Sequence, residues 1–145
     1  MNSIQQSFWS GVRAELPLLV GVFPFGMIYG ALALSAGLTP AAAQLMSSIL
    51  FAGSSQFIFA QLAHEAAPAL VIIFTIAVVN LRHMLYSASI APYTAGLPLR
   101  WKLPLAYLLT DEAYAAAIIH YENEGDQSTS RWFFLGAGLA LWLTW

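Results

Sequence analysis

Apolar residues occur along this chain in long runs that charged residues hardly interrupt. No Asp, Glu, Lys or Arg lies in the 49 residues between Glu15 and Glu65, and Arg82 alone interrupts the uncharged stretch from 66 to 99. A helix that crosses the hydrocarbon core of a bilayer needs about 20 apolar residues. We therefore expect an all-α, polytopic transmembrane helical bundle, with candidate spans at 16–36, 41–63, 68–91, 103–121 and 132–145.

The composition excludes several other classes of protein. Hydrophobic residues make up 59% of the chain and charged residues 8%, whereas a soluble domain carries about 25% charged residues. The net charge of −2 leaves no basic patch for phosphates, so we expect a lipid bilayer and no nucleic acid as partner. The absence of cysteine excludes a disulfide framework, an iron–sulfur cluster and a thiolate zinc site.

The last apolar run bears on the extent of the domain. Residues 132–145 are too few to cross a bilayer untilted, and no charge or helix cap follows the run. We therefore expect residues 1–145 to form a single transmembrane domain, the N-terminal part of a longer, truncated protein. A naturally short chain is the alternative.

The loop charges suggest an even number of membrane crossings. Arg13 precedes the first candidate span, and Arg100 and Lys102 follow the third. Because Lys and Arg mark cytoplasmic loops, three full crossings would put these groups on opposite sides. An even number of crossings results if one segment is broken or re-entrant, or if residues 68–99 form two short pieces. The alternative is that three loop charges do not determine the number of crossings.

The first polar island at membrane depth comprises Gly53, Ser54, Ser55 and Gln56, near the middle of the 41–63 run. Gly weakens a helix and Ser bonds to its own backbone, which suits a helix break. The freed N–H groups of a half-helix would bind a carboxylate. The alternative is a helix–helix contact made by small residues with a glutamine bridge.

The second island lies between residues 80 and 89, where polar residues occupy two neighbouring faces of a helix. One face carries Asn80, His83 and Ser87, and the other carries Arg82, Tyr86 and Ser89, while Leu81, Met84 and Leu85 point away. A guanidinium at the centre of the membrane costs at least about 2.5–3.5 kcal/mol, so we expect Arg82 to have a partner or a function there. The alternative is that Arg82 ends a short span and extends to the interface.

The third island is Thr110, Asp111 and Glu112, at the midpoint of the 103–121 run. Two adjacent acids at this depth indicate ion or proton handling. Asp111 would pair with Arg82 while Glu112 binds and releases a proton, or the reverse. Alternatively, Thr110 or Asp111 caps a half-helix, a role that is compatible with function.

Other short patterns are weaker. Pro24 and the Gly26–Gly30 spacing allow a kink, a hinge or a close helix contact. His64 and Glu65 begin a zinc-protease motif, but residue 68 is proline, so the second ligand is missing. Because no nucleophile–base pair is visible either, we expect neither an enzyme nor a metal site.

The polar islands together resemble the AzlC family of branched-chain amino acid exporters, which includes the YgaZ-type large subunit. The matching stretches occur in order: Pro24-Phe25-Gly26 with Gly30, Phe51 to Phe57 (FAGSSQF), Asn80 to Ser87 (NLRHMLYS), and Thr110-Asp111-Glu112. The resemblance implies a multi-pass bacterial inner-membrane transporter that exports valine, leucine, isoleucine or methionine, driven by protons. It also implies a small AzlD-type membrane subunit as partner and no cofactor. A non-transporting scaffold is the alternative function.

An amino acid substrate would fit the islands chemically. Its carboxylate would meet the N–H groups near Gly53 or the guanidinium of Arg82, its ammonium would meet an acid, and its side chain would meet phenylalanines. The expected substrate-binding residues are Gly53, Ser54, Ser55, Gln56, Asn80, Arg82 and Tyr86, with Phe25, Phe51 or Phe57 as the apolar wall. The expected proton-coupling residues are Asp111 and Glu112.

Overall fold

The computed structural model describes residues 3–123 and 127–145, and every regular element in this part of the chain is helical. The helices are α1 (Ser3–Ser35), α2 (Pro40–Leu45) with a π-helical turn (Met46–Leu50), α3 (Gly53–His64), α4 (Ala69–Thr94), α5 (Leu99–Tyr107), α6 (Asp111–Asn123) and α7 (Gln127–Thr144). The predicted all-α fold is therefore confirmed. By length and composition, α1 and α4 are the helices in the described part that are apolar enough to cross a membrane.

Helices α1 and α7 run parallel, since Ser7 donates to the Thr129 carbonyl near both helix starts and Gly26 faces Trp145 just after the end of α7. Their backbones cross in contact. A Cβ atom on Gly136 would lie 2.2 Å from the carbonyl oxygen of Phe8, and one on Gly11 would lie 2.0 Å from that of Phe133. Only glycine permits this approach. Of the alternatives for the Gly26–Gly30 spacing, a close helix contact is not seen among the described residues, since a Cβ on Gly30 would meet nothing within 4 Å and one on Gly26 would meet the Trp145 ring at an ordinary 3.6 Å.

The 41–63 run is broken, as one of the alternatives predicted, and the chain doubles back there. Phe51 has a left-handed backbone (φ 45°), and Ala52 follows it before α3 begins. The Gln56 amide then donates to the Ser47 hydroxyl at 3.1 Å, so α3 returns alongside the π-helical turn. Helices α2 and α3 thus form a first hairpin whose tip is Phe51–Ala52.

The 103–121 run is broken in the same way. Helix α5 ends at Tyr107, and α6 begins at Asp111. The ring of Tyr114 stacks on Tyr86 at 4.5 Å and that of Tyr121 on Tyr93 at 4.9 Å, so α6 runs parallel to α4, toward the end of α4 from which α5 set out. Helices α5 and α6 thus form a second hairpin whose tip is Leu108–Thr110.

Helix α4 is continuous from Ala69 to Thr94, so the alternative that residues 68–99 form two short pieces is wrong. Pro92 falls within its last turn, so the helix bond that its missing N–H removes, to the carbonyl oxygen of Ala88, is lost close to the end of the helix. The predicted outward face is confirmed: Leu81, Met84 and Leu85 are 54%, 67% and 72% exposed. The Arg82 side chain therefore points inward, toward both hairpin tips.

Candidate functional site

A small cavity of about 50 Å³ lies where the two hairpin tips meet the middle of α4. Its lining combines charged, hydroxyl and apolar groups: Val22, Phe25, Phe51, Ala52, Gly53, Ser54, Arg82, His83, Thr110, Asp111, Glu112, Leu141 and Trp145. Because a water needs about 10–15 Å³ by this measure, the cavity has room for only a few waters. An amino acid would have to widen it.

The guanidinium of Arg82 joins the two tips. Its Nη1 donates to the Asp111 carboxylate on α6, and its Nη2 donates to the Ser54 hydroxyl on α3 at 3.0 Å. The two charged side chains are 29% and 37% exposed, so the pair borders the cavity and is not sealed away from it. Of the alternatives for the acidic doublet, the structure shows Asp111 as the partner of Arg82.

Helix N-termini from both hairpins face this region. At α3 the residue before the first turn is Ala52, whose side chain cannot cap, so the first N–H groups of that helix have no side-chain acceptor. At α6 the Thr110 hydroxyl accepts a bond from the Ala113 N–H at 3.4 Å, which confirms the predicted cap, with Thr110 as the capping residue. Both termini favour a negative charge in the cavity.

Glu112 lines the same cavity but has a different environment from Asp111. Within residues 3–123 and 127–145, the salt bridge of the structure joins Arg82 to Asp111, and Glu112 makes none. Its carboxyl group is therefore the acid at the cavity that is not neutralised by a cation.

Several predicted site residues lie outside the cavity lining and hold its walls together. The Ser55 hydroxyl donates to the Asn80 side chain at 2.7 Å, which ties α3 to α4. Gln56 is fully buried and accepts a bond from the Trp145 indole at 2.9 Å. Tyr86 adjoins the Asp111 carboxylate. For Ser55 and Gln56 the packing alternative thus describes the contacts, whereas Gly53 and Ser54 face the cavity.

The apolar wall of the cavity agrees in part with expectation. Phe25 and Phe51 line it, but Phe57 stacks on the far side of Phe25 with ring centroids 4.3 Å apart. Val22 and Leu141 line it without having been predicted, because their helices give no polar signal in the sequence.

One buried acid is not among the predicted site residues. The candidate span 16–36 begins directly after Glu15, yet α1 begins at Ser3 and the Glu15 side chain is 0% exposed. The buried residues of α1 recur on one face: Gly11, Glu15, Val22, Tyr29 and Ala33. Other faces of α1 are equally apolar, since Val20, Phe23 and Ile28 are exposed, so no periodicity in the sequence marks the buried face.

Comparisons with known proteins identify the family to which the chain is similar. The sequence profile described as AzlC protein matches residues 17–145. The chain is 33% identical over its whole length to an uncharacterized membrane protein of Archaeoglobus fulgidus, of which it covers 62%. It is 26% identical over 96% of its length to the inner membrane protein YgaZ of Escherichia coli, of which it covers 57%.

A fourth similarity concerns a relative whose name states a substrate. The chain is 28% identical over its whole length to the branched-chain amino acid transport protein AzlC of Bacillus subtilis, and covers 57% of it. The chain thus spans about three-fifths of the length of these relatives. No solved structure matches the chain significantly.

Proposed function

The chain belongs to the AzlC protein family, and we propose that it forms the transmembrane amino-acid-binding domain, residues 1–145, of a secondary transporter that exports branched-chain amino acids. On this proposal the protein is a multi-pass protein of the bacterial inner membrane, coupled to protons, and the large subunit of a permease with a small AzlD-type partner. It transports and does not catalyse a reaction.

The observation that carries the proposal is the composition of the cavity between the two hairpin tips. A zwitterionic amino acid needs a site of positive potential and an acid within a few ångströms of each other. Arg82 and the first turn of α3 offer donors for the carboxylate, and Glu112 offers an acceptor for the ammonium group. Phe25 and Phe51 offer an apolar surface for an aliphatic side chain.

Asp111 and Glu112 take separate roles in this mechanism. Asp111 stays paired with Arg82 and fixes the direction of the guanidinium. Glu112 binds the ammonium group when ionised and a proton when empty, so substrate and proton compete for one carboxylate. This competition supports exchange of one for the other across the membrane.

The arrangement of the helices supports an even number of crossings. On our proposal α1 and α4 cross in opposite directions, while the two hairpins enter from opposite sides and end at the cavity. Arg13 would then share the cytoplasmic side with Arg100 and Lys102, as the distribution of basic residues requires.

The test is transport by the complete protein in proteoliposomes, with and without the small partner subunit. Labelled leucine should exchange with unlabelled leucine in counterflow, and a pH gradient should drive its accumulation. Glu112→Gln should abolish accumulation driven by the pH gradient, whereas Glu65→Gln, which alters an exposed acid, should leave it unchanged.

Two results would count against the proposal. Normal accumulation by Glu112→Gln would remove Glu112 from proton coupling. Absence of counterflow for valine, leucine, isoleucine and methionine, with and without the partner, would refute the transport function and favour a scaffold.

A further inference from the structure

Glu15 is a carboxyl group buried in α1 with no polar partner. Its side chain is 0% exposed, and neither carboxyl oxygen has a hydrogen-bond partner among the described residues. An ionised carboxylate in this environment costs several kcal/mol or more unless it is paired, so a buried acid of this kind is expected to hold a proton.

Within residues 3–123 and 127–145, helix α6 carries two titratable groups on the side of α1 that holds Glu15: Glu112, and His120, which lines a pocket with Ala14 of α1. Helix α6, which packs against α1, carries Glu112, and the two carboxyl groups interact electrostatically. On α7 the guanidinium of Arg131 lies over the Trp101 ring, 5.1 Å from its centroid. On α1 itself Arg13 is exposed. The other helices packed on α1 are α2, which has no titratable residue, and α3, which has only His64, at its last position.

Two carboxyl groups in this relation cannot both ionise without repulsion. When Glu112 is ionised, Glu15 is more stable as the neutral acid, and when Glu112 takes up a proton, the repulsion that opposes ionisation of Glu15 disappears. A proton that passes from Glu15 to the Glu112 carboxylate therefore leaves a buried carboxylate at Glu15, which is unfavourable until Glu15 is protonated again.

Glu15 also lies between two polar spaces. At the start of α1 a pocket of about 220 Å³ is lined by Ser3, Gln6, Ser7, Ser10, His120 and Thr129. Ser10 lies five residues before Glu15 along α1, and Val22, which lines the central cavity, lies seven residues after it. At about 1.5 Å per residue these separations are about 7.5 and 10.5 Å.

We propose that Glu15 is a proton-binding residue that carries protons between the polar pocket at the start of α1 and Glu112 at the central cavity. A proton leaves the Glu15 carboxylic acid for the Glu112 carboxylate, and Glu15 is reprotonated from water in the polar pocket. The inference rests on the proton coupling proposed above and names the route by which the proton arrives.

The experiment compares Glu15→Gln with Glu15→Asp and with the exposed control Glu65→Gln, each in the complete protein. Infrared difference spectroscopy between two pH values detects the C=O stretch of a buried carboxylic acid without requiring transport. Part of this band should disappear in Glu15→Gln and shift in frequency in Glu15→Asp. In proteoliposomes Glu15→Gln should lose leucine accumulation driven by a pH gradient but keep counterflow, and Glu15→Asp should keep both.

Each outcome bears on the inference separately from the proposed function. An unchanged infrared band in Glu15→Gln, or pH-driven accumulation equal to wild type, overturns the role of Glu15. Loss of counterflow in both variants overturns it as well, because it indicates a packing role. If Glu15→Gln does not insert, an unshifted band in Glu15→Asp overturns it. A band assigned to Glu15 in a protein without counterflow supports the proton site and refutes amino acid transport instead.

Discussion

The ion pair between Arg82 and Asp111 should hold the second hairpin against α4, and a double-mutant cycle can measure this. Arg82→Gln removes the positive charge, Asp111→Asn removes the negative charge, and the double variant removes both. Either single variant leaves an unpaired charge beside the cavity. The double variant leaves none, so its cost should be smaller than the sum of the single costs.

The magnitude follows from the geometry of the pair. Two unit charges about 4 Å apart attract by about 4 kcal/mol at an effective dielectric constant of about 20. Desolvation offsets part of this attraction, and water screens side chains that are still 29% and 37% exposed. We therefore expect each single variant to lower the free energy of unfolding by about 1–3 kcal/mol, with a coupling energy of about 1–2 kcal/mol.

The assay is reversible unfolding of the four proteins in mixed detergent micelles at one pH and one salt concentration. If the single effects add to the effect of the double variant within about 0.5 kcal/mol, the two charges are energetically independent. That result would refute the conclusion that the pair links α4 to the tip of the second hairpin.

Two further predictions concern packing around the site. Gly136→Ala should lower the free energy of unfolding by about 1–3 kcal/mol, because the new Cβ would lie 2.2 Å from the Phe8 carbonyl oxygen. The control is Gly30→Ala, whose new Cβ has nothing within 4 Å; in the same unfolding assay it should raise the free energy of unfolding by about 0.5–1 kcal/mol. If both variants changed the free energy of unfolding by the same amount, close packing of α1 and α7 would be contradicted. Ser55→Ala should cost about 0.5–1.5 kcal/mol, because it removes the hydrogen bond to Asn80; a stability unchanged from wild type would show that this bond does not fasten α3 to α4.

Much of the site could be located from the sequence, because polar residues in the middle of apolar runs are conspicuous. Arg82, Asp111 and Glu112 were identified on the cost of placing charge at membrane depth, and all three line one cavity. Glu15 was not predicted to be buried, because it lies at the edge of an uncharged run and not within one. The sequence does not distinguish Ser55 from Ser54. In the structure Ser55 bonds to Asn80, whereas Ser54 accepts a bond from Arg82 at the cavity.

The residues at which the chain reverses were harder to predict from the sequence than the site residues. Gly53 was the natural candidate for the break, yet the positive φ angle occurs at Phe51, a residue type that seldom adopts it. Such a conformation costs about 1–3 kcal/mol, and packing of the surrounding helices has to impose it.

The sequence by itself determined that this protein lies in a lipid bilayer and which chemical groups its interior contains. Both depend on residue type alone, because apolar runs favour lipid and buried charges need partners. Only the tertiary structure decided which charges meet, since Arg82 and Asp111 lie 29 positions apart on separate helices. It also decided that two runs fold back as hairpins, because a reversal depends on contacts with other helices that no local pattern contains.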